Sequence, residues 1–426
     1  MQEQSSKETV ESSTACYDTL EQWAREQIQA QLQHLLEEEV TTFLGRARHA
    51  RRSTVSAVDP PPGSRNGYGK PRQFSMMNGT VTVRRPRVRD LAERFASKIL
   101  PLFKRRTTEV GVLLPELYLH GLSTGDFDVA LRGLLGEGAP LSASSIQRLK
   151  ARFELEYETW TKQDLSDLEV VYWWADGLYV KAGITDRKSA LLTIVGALTT
   201  GEKIVVACES GERESKDSWL TVLRRLRERG LKFPRLTVAD GHLGIWAALG
   251  EIHPTGEEQR CWNHKLTNVL DALPKKAQAT AVERLKAMPY AETQAECERQ
   301  RDAFVRRYRK TDPKAVDTLL RDWDRMVTFY AFPKEHWIHL RTTNIVESPF
   351  ASVRLRTNAS RRYKRVEGAQ AIIWKILRVA EQAWRKLNAP ALLPLVASGV
   401  PCKDGRMIRS GSVPCNGNEQ AERTAA

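Results

Sequence analysis

The 426-residue sequence lacks the features typical of secreted, disulfide-bonded and membrane-spanning proteins. Its six cysteines include no Cys-x-x-Cys pair, and such usage is typical of a reducing compartment. The N-terminal segment MQEQSSKETVESS has no apolar core of a signal peptide. No run reaches the ~18 apolar residues that a membrane-spanning helix needs. We therefore expect a cytoplasmic protein with no membrane partner.

Negative charge is scarce relative to positive charge. Lysine and arginine total 66 against 52 acidic residues, which gives a net charge of +14 and a pI near 9.5. Such an excess can simply keep a surface soluble, but here it is clustered, which favours a polyanionic partner, most simply nucleic acid. The chain also contains no GxxxxGK[ST] sequence, so it has no P-loop for nucleoside triphosphates.

The N-terminal part of the chain divides into a helix, a linker and a basic hairpin. Residues 18–46 carry apolar side chains at helical spacing, so the N-terminal region 1–52 is predicted to contain an amphipathic helix there, which packs on a neighbour or another subunit. Residues 53–106 are predicted as a Pro/Gly/Ser linker followed by a hairpin. Either the hairpin arginines contact DNA phosphates or they form a solvated strand face; the candidates are Arg84, Arg85 and Arg87.

Residues 107–165 have the pattern of three short helices. One interpretation is a helix-turn-helix domain whose third helix enters a DNA groove and exposes Arg148 and Lys150. The alternative is an ordinary three-helix bundle, because any such bundle gives the same pattern. We expect a mainly helical DNA-binding region.

From residue 169 the periodicity changes to that of strands. Three strands, a helix, a strand, a helix and a fifth strand are predicted, which is the element order of a ribonuclease-H-like fold with a mixed five-stranded sheet. We assign this α/β catalytic core to residues 166–264 and 341–390. Residues 265–340 are predicted as an all-helical insertion, and residues 391–426 as a disordered tail.

Three carboxylates stand where this fold would bring them together. Asp176 lies within an apolar strand, where an ionised side chain is costly unless it is paired or binds a metal. Asp240 directly follows the fourth strand, and Glu347 lies near the start of a late helix. Converging carboxylates suit Mg²⁺ or Mn²⁺ and phosphodiester chemistry. Spacing alone is weak support, because 52 acidic residues always offer some such triple.

Four segments in order resemble the Mutator-type DDE transposases of bacterial insertion sequences. They are WADGLYVK (Trp174–Lys181), VADGHLGIW (Val238–Trp246), RCWNHKLTNVL (Arg260–Leu270) and RTTNIVES (Arg341–Ser348). The resemblance runs from about residue 20 to about residue 390. It implies that Asp176, Asp240 and Glu347 are catalytic and bind the metal.

The resemblance also implies the reaction and the partners. The enzyme would bind the terminal inverted repeats of its insertion sequence, cleave a strand there, and transfer the freed 3′-OH to target DNA. Joining two element ends implies a homo-oligomer, a dimer or larger, in the nucleoid of a bacterial cell. Two alternatives remain open: a transposase-derived DNA-binding regulator without catalysis, and a nuclease that cuts without joining.

Two further sets of residues, a Cys-x-x-His element after Asp240 and a basic run after Glu347, can each be interpreted in two ways. Cys261 and His264 form the Cys-x-x-His element of the resemblance; they are either structural or, with His336 and His339, ligands of a tetrahedral zinc ion. A basic run follows Glu347, and it either binds phosphate beside the active site or is a solvated face. Its candidate DNA-binding residues are Arg354, Arg356, Arg361 and Arg362.

Overall fold

The chain folds into two compact units, Met1–Leu149 and Lys150–Ala426. This computed structural model describes residues 2–50, 62–101, 104–122, 126–135, 143–183, 188–360 and 362–408. Within these ranges, no helix combines the length and the apolar character that crossing a bilayer requires.

The first unit combines a long helix, two small sheets and short helices. Its elements are α1 (Gln2–Leu44), β1 (Ser64–Tyr68), β2 (Arg72–Met76), β3 (Gly79–Val83), β4 (Pro86–Arg89), α2 (Thr108–Leu119), α3 (Asp126–Leu135) and the start of α4 (Ala143–Thr161). Antiparallel pairs form between β1 and β4 and between β2 and β3. The predicted hairpin is therefore present as β2 and β3, with Met76 opposite Gly79 across a two-residue turn.

Helix α1 packs on the hairpin. Leu36 of α1 shares a small apolar core with Val81 and Val83 of β3. Two glutamines of α1 bind the backbone of the hairpin: Gln29 Oε1 accepts from Thr82 N, and Gln33 Oε1 accepts from Arg84 N, each at 2.9 Å. The helix thus satisfies backbone groups that a two-stranded edge would leave to water.

Two predictions for this unit need correction. Residues 64–68, predicted as linker, form strand β1, because they pair with the arginine-rich strand Pro86–Arg89. Those arginines therefore belong to a second sheet and do not continue the hairpin. The first part of the predicted linker, residues 53–61, lies outside the described residues.

The second unit contains the main sheet and most of the helices. Its strands are β5 (Val170–Lys181), β6 (Lys188–Leu198), β7 (Lys203–Gly211), β8 (Leu236–Ala239), β9 (Glu257–Arg260), β10 (Cys402–Lys403) and β11 (Arg406–Met407). Its helices after α4 are α5 (Lys216–Glu228), α6 (Leu243–Ile252), α7 (Trp262–Asp271), α8 (Lys275–Ala287), α9 (Gln294–Tyr308), α10 (Pro313–Leu320), α11 (Trp323–Val327), α12 (Trp337–Leu340), α13 (Asn344–Glu347), α14 (Phe350–Ser360), α15 (Val366–Glu381) and α16 (Leu393–Ala397).

The main sheet is mixed and five-stranded, as predicted, with the order β7-β6-β5-β8-β9. Strands β5, β6 and β7 are antiparallel, whereas β8 runs parallel to β5 and β9 runs parallel to β8. One face of the sheet buries an apolar core against α5 and α6, which includes Trp219 and Trp246. Both tryptophans are almost fully buried, as is Trp374 of α15.

The third helix of the predicted helix-turn-helix contributes to the second unit. From Lys150 on, α4 belongs to that unit. Tyr157 and Trp160 of α4 lie with their ring centroids 5.6 and 5.5 Å from that of Trp374. The aromatic face of α4 therefore packs in the second unit and is not free to bury a three-helix bundle of its own.

The predicted insertion is helical and the predicted tail is partly folded. Residues 265–340 form α8 to α12, the greater part of α7, and connecting 3₁₀ helices. After α15, residues 390–408 form a 3₁₀ helix, α16 and the pair β10–β11, so the prediction of disorder is wrong for this segment. Gly405 N donates to Tyr330 O, and Lys334 N donates to Gly405 O, which anchors the pair on the insertion. Residues 409–426 lie outside the described part.

Candidate active site

Asp176 and Asp240 stand side by side at the point where two parallel strands stop pairing. The last paired residues of β5 and β8 are Ala175 and Ala239, and the two aspartates follow directly. Because side chains alternate along a strand, and both alanines face the core under α5 and α6, both aspartates point to the opposite face. The neighbouring strands β5 and β8, both inside the sheet, thus place one carboxylate each on the same face.

That opposite face of β5 lies under the segment that leads to Glu347. Trp174 Nε1 donates to His339 O at 2.8 Å, and the hydroxyl of Tyr172 lies 2.8 Å from His336 Nδ1. Helix α13, whose last residue is Glu347, packs on β5 and β6. Since Tyr172, Trp174 and Asp176 share a face, Asp176 faces the helix that carries Glu347.

Asp176 is mostly buried among negative neighbours. Burial raises the pKa of Asp176 to about 7; the donation from Gly177 N at 2.9 Å opposes this rise, and the charges of Glu347 and Asp240 add to it. The imidazole of His264 lowers the pKa by a smaller amount. The three sequence-predicted carboxylates are therefore close enough to act on one another electrostatically.

Glu347 is held by Thr343 and lies beside Cys261 and His264. The Thr343 hydroxyl donates to Glu347 Oε1, and Thr343 N lies 3.3 Å from Cys261 Sγ. His264 Nδ1 lies 3.9 Å from Glu347 Oε1. The Cys261 sulfur, with lesser help from Glu347 and Asp240, raises the pKa of His264 to about 9, against the effect of burial. The sequence did not single out Thr343.

Asp240 begins the loop into α6 and is fixed by that loop's backbone. His242 N donates to Asp240 Oδ1 at 2.8 Å, and Trp246 Nε1 donates to Asp240 O at 3.1 Å. His242 occupies the N-cap position of α6, but its side chain makes no capping hydrogen bond. Its imidazole therefore does not cap the helix and lies beside Asp240 and Glu214.

Glu214 is a fourth acidic residue at this site, and its sequence context did not single it out. It follows β7 and is 7% exposed. Donor atoms of Glu214, Asp240 and His242 lie within 4.8 Å of one another. Burial, and then the charge of Asp240, raise the pKa of Glu214. Nothing in its local sequence, GERES, distinguishes it from an exposed loop acid.

In the described chain, donor atoms within 4.8 Å of one another form two groups, Glu214 with Asp240 and His242, and Glu347 with Cys261 and His264; Asp176 is in neither group. The acidic members suit divalent cations such as Mg²⁺ or Mn²⁺. Carboxylate oxygens are the hard ligands that these ions take. Burying several carboxylates together is unfavourable without a compensating positive charge, as the raised pKa of Asp176 indicates. A cation held by Asp176, Asp240 and Glu347 would supply that charge.

The four side chains considered for zinc do not converge. Donor atoms of Cys261 and His264 group with Glu347, and no group of this kind in the described chain includes His336 or His339. His336 is fully buried, and its ring nitrogens lie 2.8 Å from the Tyr172 hydroxyl and 3.3 Å from Ala389 O. His339 Nε2 accepts from Asn388 N. These imidazoles therefore have structural partners.

The basic run after Glu347 is only partly at the surface. Arg354 is exposed on α14, and Arg362 is exposed just beyond that helix. Arg356 is 3% exposed, because it lies on the inner side of α14 with Val353, so the prediction that it binds DNA is not compatible with its burial. Arg361 lies outside the described residues. Arg148 and Lys150 are on α4, and Arg148 is the more exposed of the two.

The first unit contains a basic cleft of about 510 Å³. Among the described residues, its wall includes six cationic side chains and no acidic one: Lys70, Arg72, Arg85, Arg87, Arg94 and Arg105. Burial lowers the pKa of Arg85, and the nearby charge of Arg94 lowers it further. Arg72 donates to Pro101 O at 3.1 Å and so also supports the fold. The two hairpin candidates Arg85 and Arg87 thus line a cleft, whereas Arg84 does not.

Comparison with known proteins identifies relatives along most of the chain. The transposase for insertion sequence element IS6120 of Mycolicibacterium smegmatis is 43% identical over 296 residues, 70% of this chain and 92% of the relative. The transposase for insertion sequence element IST2 of Acidithiobacillus ferrooxidans is 39% identical over 278 residues, 65% of this chain and 94% of the relative. The family model described as "Transposase, Mutator family" matches residues 1–387, so this chain, with its paired aspartates and facing glutamate, belongs to the Mutator family of transposases.

Proposed function

We propose that this transposase binds the terminal inverted repeats of its insertion sequence and carries out metal-dependent strand cleavage and strand transfer by a DDE mechanism. Asp176, Asp240 and Glu347 are the catalytic residues, and the metal is Mg²⁺ or Mn²⁺. The observation that carries this proposal is the register of β5 and β8, which sets the two aspartates side by side on the face covered by the helix of Glu347.

The catalytic core has a ribonuclease-H-like fold in this proposal. The supporting observation is the sheet order β7-β6-β5-β8-β9, in which three antiparallel strands precede two parallel ones along the chain. The helical insertion enters between β9 and α13, and therefore between the second aspartate and the glutamate. This topology explains why three residues far apart in sequence occupy one site.

Both chemical steps are in-line displacements at phosphorus. Water attacks a phosphodiester at the element end and releases a 3′-OH; that 3′-OH then attacks a phosphodiester of target DNA. Each step forms one P–O bond and breaks another, so neither a covalent protein intermediate nor a nucleoside triphosphate is required. The bound divalent metal supplies the Lewis acidity that activates the attacking oxygen and stabilises the leaving oxygen.

The protein side chains hold this centre rigidly. Asp176 is fixed by pairing with β6 and by Gly177 N, Asp240 is fixed by His242 N, and Glu347 is fixed by the Thr343 hydroxyl. His264 Nδ1 lies 3.9 Å from Glu347 Oε1, within ion-pair distance of that carboxylate. Preorganisation of this kind lowers the cost of assembling the transition state.

The basic cleft of the first unit contacts the DNA backbone in this proposal. Mutual repulsion among its cations is relieved when phosphates enter between them, with release of counterions. Arg87 and Arg94 suit a test, because both are exposed and line the cleft. We expect the double change Arg87→Ala, Arg94→Ala to weaken duplex binding and to reduce the salt slope by about one for each phosphate that the variant no longer binds. Arg309→Ala, an exposed arginine paired with Asp317, is the control and should bind normally.

The active form is a homo-oligomer, because two element ends must be brought together. Helix α1 offers a surface for this association. Its side chains Leu20 and Trp23 are 58% and 57% exposed, on a helix whose other face packs on the hairpin. Two exposed apolar residues one turn apart are suited to pairing with a second copy of the helix.

The central experiment uses full-length protein, Mg²⁺ and a labelled duplex that ends in the inverted repeat flanking the gene. We expect cleavage and strand transfer by the wild type, and loss of both, with DNA binding retained, for Asp176→Asn, Asp240→Asn and Glu347→Gln. Asp217→Asn, an exposed acid in the first turn of α5, should react as the wild type does. Cleavage without joining would favour a nuclease. Binding alone, unchanged by Asp176→Asn, would favour a non-catalytic regulator.

A further inference from the structure

Three side chains of different chemistry meet at α13: the thiol of Cys261, the imidazole of His264 and the carboxylate of Glu347. One donor atom of each lies within 4.8 Å of the donor atoms of the other two. Cys261 directly follows β9, His264 is in the first turn of α7, and Glu347 is the last residue of α13. The group therefore joins segments that the helical insertion separates in the sequence.

The spacing of these donors is close to that of a tetrahedral zinc site. Zinc binds a thiolate sulfur at about 2.3 Å and a nitrogen or carboxylate oxygen at about 2.0–2.2 Å, which places nitrogen and oxygen ligands about 3.4 Å apart. His264 Nδ1 and Glu347 Oε1 are 3.9 Å apart, so they need to approach by only about 0.5 Å. Three protein ligands leave the fourth position of the ion to water.

His264 Nδ1 lacks the partner that a buried polar atom normally has. It is shielded from solvent and has no hydrogen-bond partner in the described part of the chain. Two other half-buried imidazoles of the second unit do have partners: His253 Nε2 lies 3.1 Å from Pro234 O, and His339 Nε2 accepts from Asn388 N. A buried nitrogen that faces a thiol and a carboxylate, and has no partner of its own, is suited to bind a metal ion together with them.

Thr343 holds two of the three donors in place. Its backbone nitrogen and its hydroxyl lie 3.3 and 3.2 Å from Cys261 Sγ, and the hydroxyl also contacts Glu347 Oε1. Metal ligands are commonly oriented by a second set of hydrogen bonds of this kind. Cys261 is fully buried, whereas His264 and Glu347 are partly exposed, so an ion reaches the group from the side of the latter two.

We propose that Cys261, His264 and Glu347 form a site for Zn²⁺ and that zinc bound there inhibits strand cleavage and strand transfer. The thiolate and the imidazole select zinc, because Mg²⁺ takes oxygen ligands. Binding releases the thiol proton to solvent. Inhibition follows because Glu347, once it binds zinc, no longer serves the catalytic cation; this part of the inference rests on the proposed function.

The site is tested with Co²⁺ as a spectroscopic substitute for zinc, on the reduced full-length protein without DNA. A cobalt–thiolate bond gives a charge-transfer absorption band, which we expect for the wild type and which added Zn²⁺ should abolish. Cys261→Ser and His264→Gln should each weaken Co²⁺ binding more than about 100-fold, because loss of outer-shell partners alone costs about 10–100-fold. Circular dichroism checks that both variants are folded, and the half-exposed His264 offers the milder change.

Two controls separate this site from other thiols and from the catalytic centre. Cys402→Ser removes a partly exposed thiol elsewhere in the second unit and should leave the band unchanged. Asp176→Asn should also keep the band, because Asp176 does not belong to this group of donors. Absence of the band in the wild type, or the same band and affinity in Cys261→Ser and His264→Gln, would overturn the site.

Inhibition is measured as the cleavage rate in Mg²⁺ with and without added Zn²⁺, and each protein is compared with its own zinc-free rate. We expect zinc to slow the wild type at least tenfold and to have a much smaller effect on Cys261→Ser. Equal inhibition of the two proteins would overturn the inhibitory role. Absence of cleavage by the wild type in Mg²⁺ alone would instead contradict the proposed function, and the Co²⁺ spectra would still decide whether the site exists.

Discussion

Replacing Thr343 by valine tests whether the position of Glu347 limits catalysis. Thr343 is fully buried between Cys261 and Glu347, and its hydroxyl donates to the Glu347 carboxylate. It does not cap α13, since its side chain makes no capping hydrogen bond there. Valine keeps the shape and removes only the hydroxyl. The variant therefore removes the contacts of this hydroxyl with Glu347 Oε1 and with Cys261 Sγ, which lies 3.2 Å away.

The expected loss follows from the charge of the acceptor. A hydrogen bond to an ionised group contributes about 1.5–3 kcal/mol, and each ~1.4 kcal/mol changes a rate tenfold. If the bond serves to hold Glu347 in its reactive position, cleavage and strand transfer should both slow by about 10- to 150-fold. Global stability should change little, by about 2–4 °C in Tm, because the core volume is preserved.

The assay measures single-turnover cleavage and strand transfer at saturating DNA and Mg²⁺. Thr343→Ser restores the hydroxyl and should recover most of the activity. The neighbouring change Thr342→Val should leave both rates within about twofold, because the Thr342 hydroxyl accepts from Asn344 N and does not hold the catalytic carboxylate. Wild-type rates in Thr343→Val, or equal losses in the serine and valine variants, would refute the role of this hydrogen bond.

Three further predictions concern the stability of the second unit, each measured by thermal or urea unfolding followed by tryptophan fluorescence. Gly244→Ala should lower the free energy of unfolding by about 1–3 kcal/mol, because the added Cβ meets backbone atoms that cannot easily move. Gly250→Ala in the same helix has open space around the added Cβ and should raise the free energy of unfolding by about 0.5–1 kcal/mol. Asp322→Asn should lower the free energy of unfolding by about 3 kcal/mol, because it leaves the buried Arg260 guanidinium without the carboxylate that lies 2.9 Å from it in the wild type. Asparagine tolerates the left-handed backbone conformation of residue 322, so the change does not add backbone strain. Tyr172→Phe should cost about 1–2 kcal/mol, because it breaks a buried hydrogen bond to an imidazole, and strand transfer should persist below the new Tm. Equal unfolding of the two glycine variants, or no change for Asp322→Asn or Tyr172→Phe, would contradict these assignments.

The sequence was sufficient for the strands and for three of the acidic residues at the site. Strand and helix periodicity predicted the elements of the main sheet, since the pattern of apolar side chains reflects which face each element buries. Asp176 and Asp240 could be found because each lies in or after an apolar strand, where a charge is conspicuous. Glu347 is the last residue of a four-residue helix, and its identification depended on the resemblance of RTTNIVES to known transposases.

Two residues at the site, Glu214 and Thr343, could be recognised only from the tertiary structure. Glu214 lies in a polar loop with no periodicity, so only the packing of that loop against Gly177 and Gly244 reveals its burial. Thr343 looks like an ordinary residue before a helix, and its contacts with Cys261 and Glu347 bridge distant segments. No local pattern encodes such contacts.

The corrections have the same physical origin. Residues 64–68 appeared to be linker because a strand of mixed Gly and polar residues has no alternation, and pairing with residues 86–89 supplies its structure. Residues 390–408 looked disordered by composition, yet backbone hydrogen bonds to the insertion order them. Arg356 looked exposed within a basic run, but the helix turns it inward. The sequence by itself determined which segments become strands and helices, because local periodicity encodes them; which side chains meet at the site was decided only in the folded chain, because those contacts join residues far apart along it.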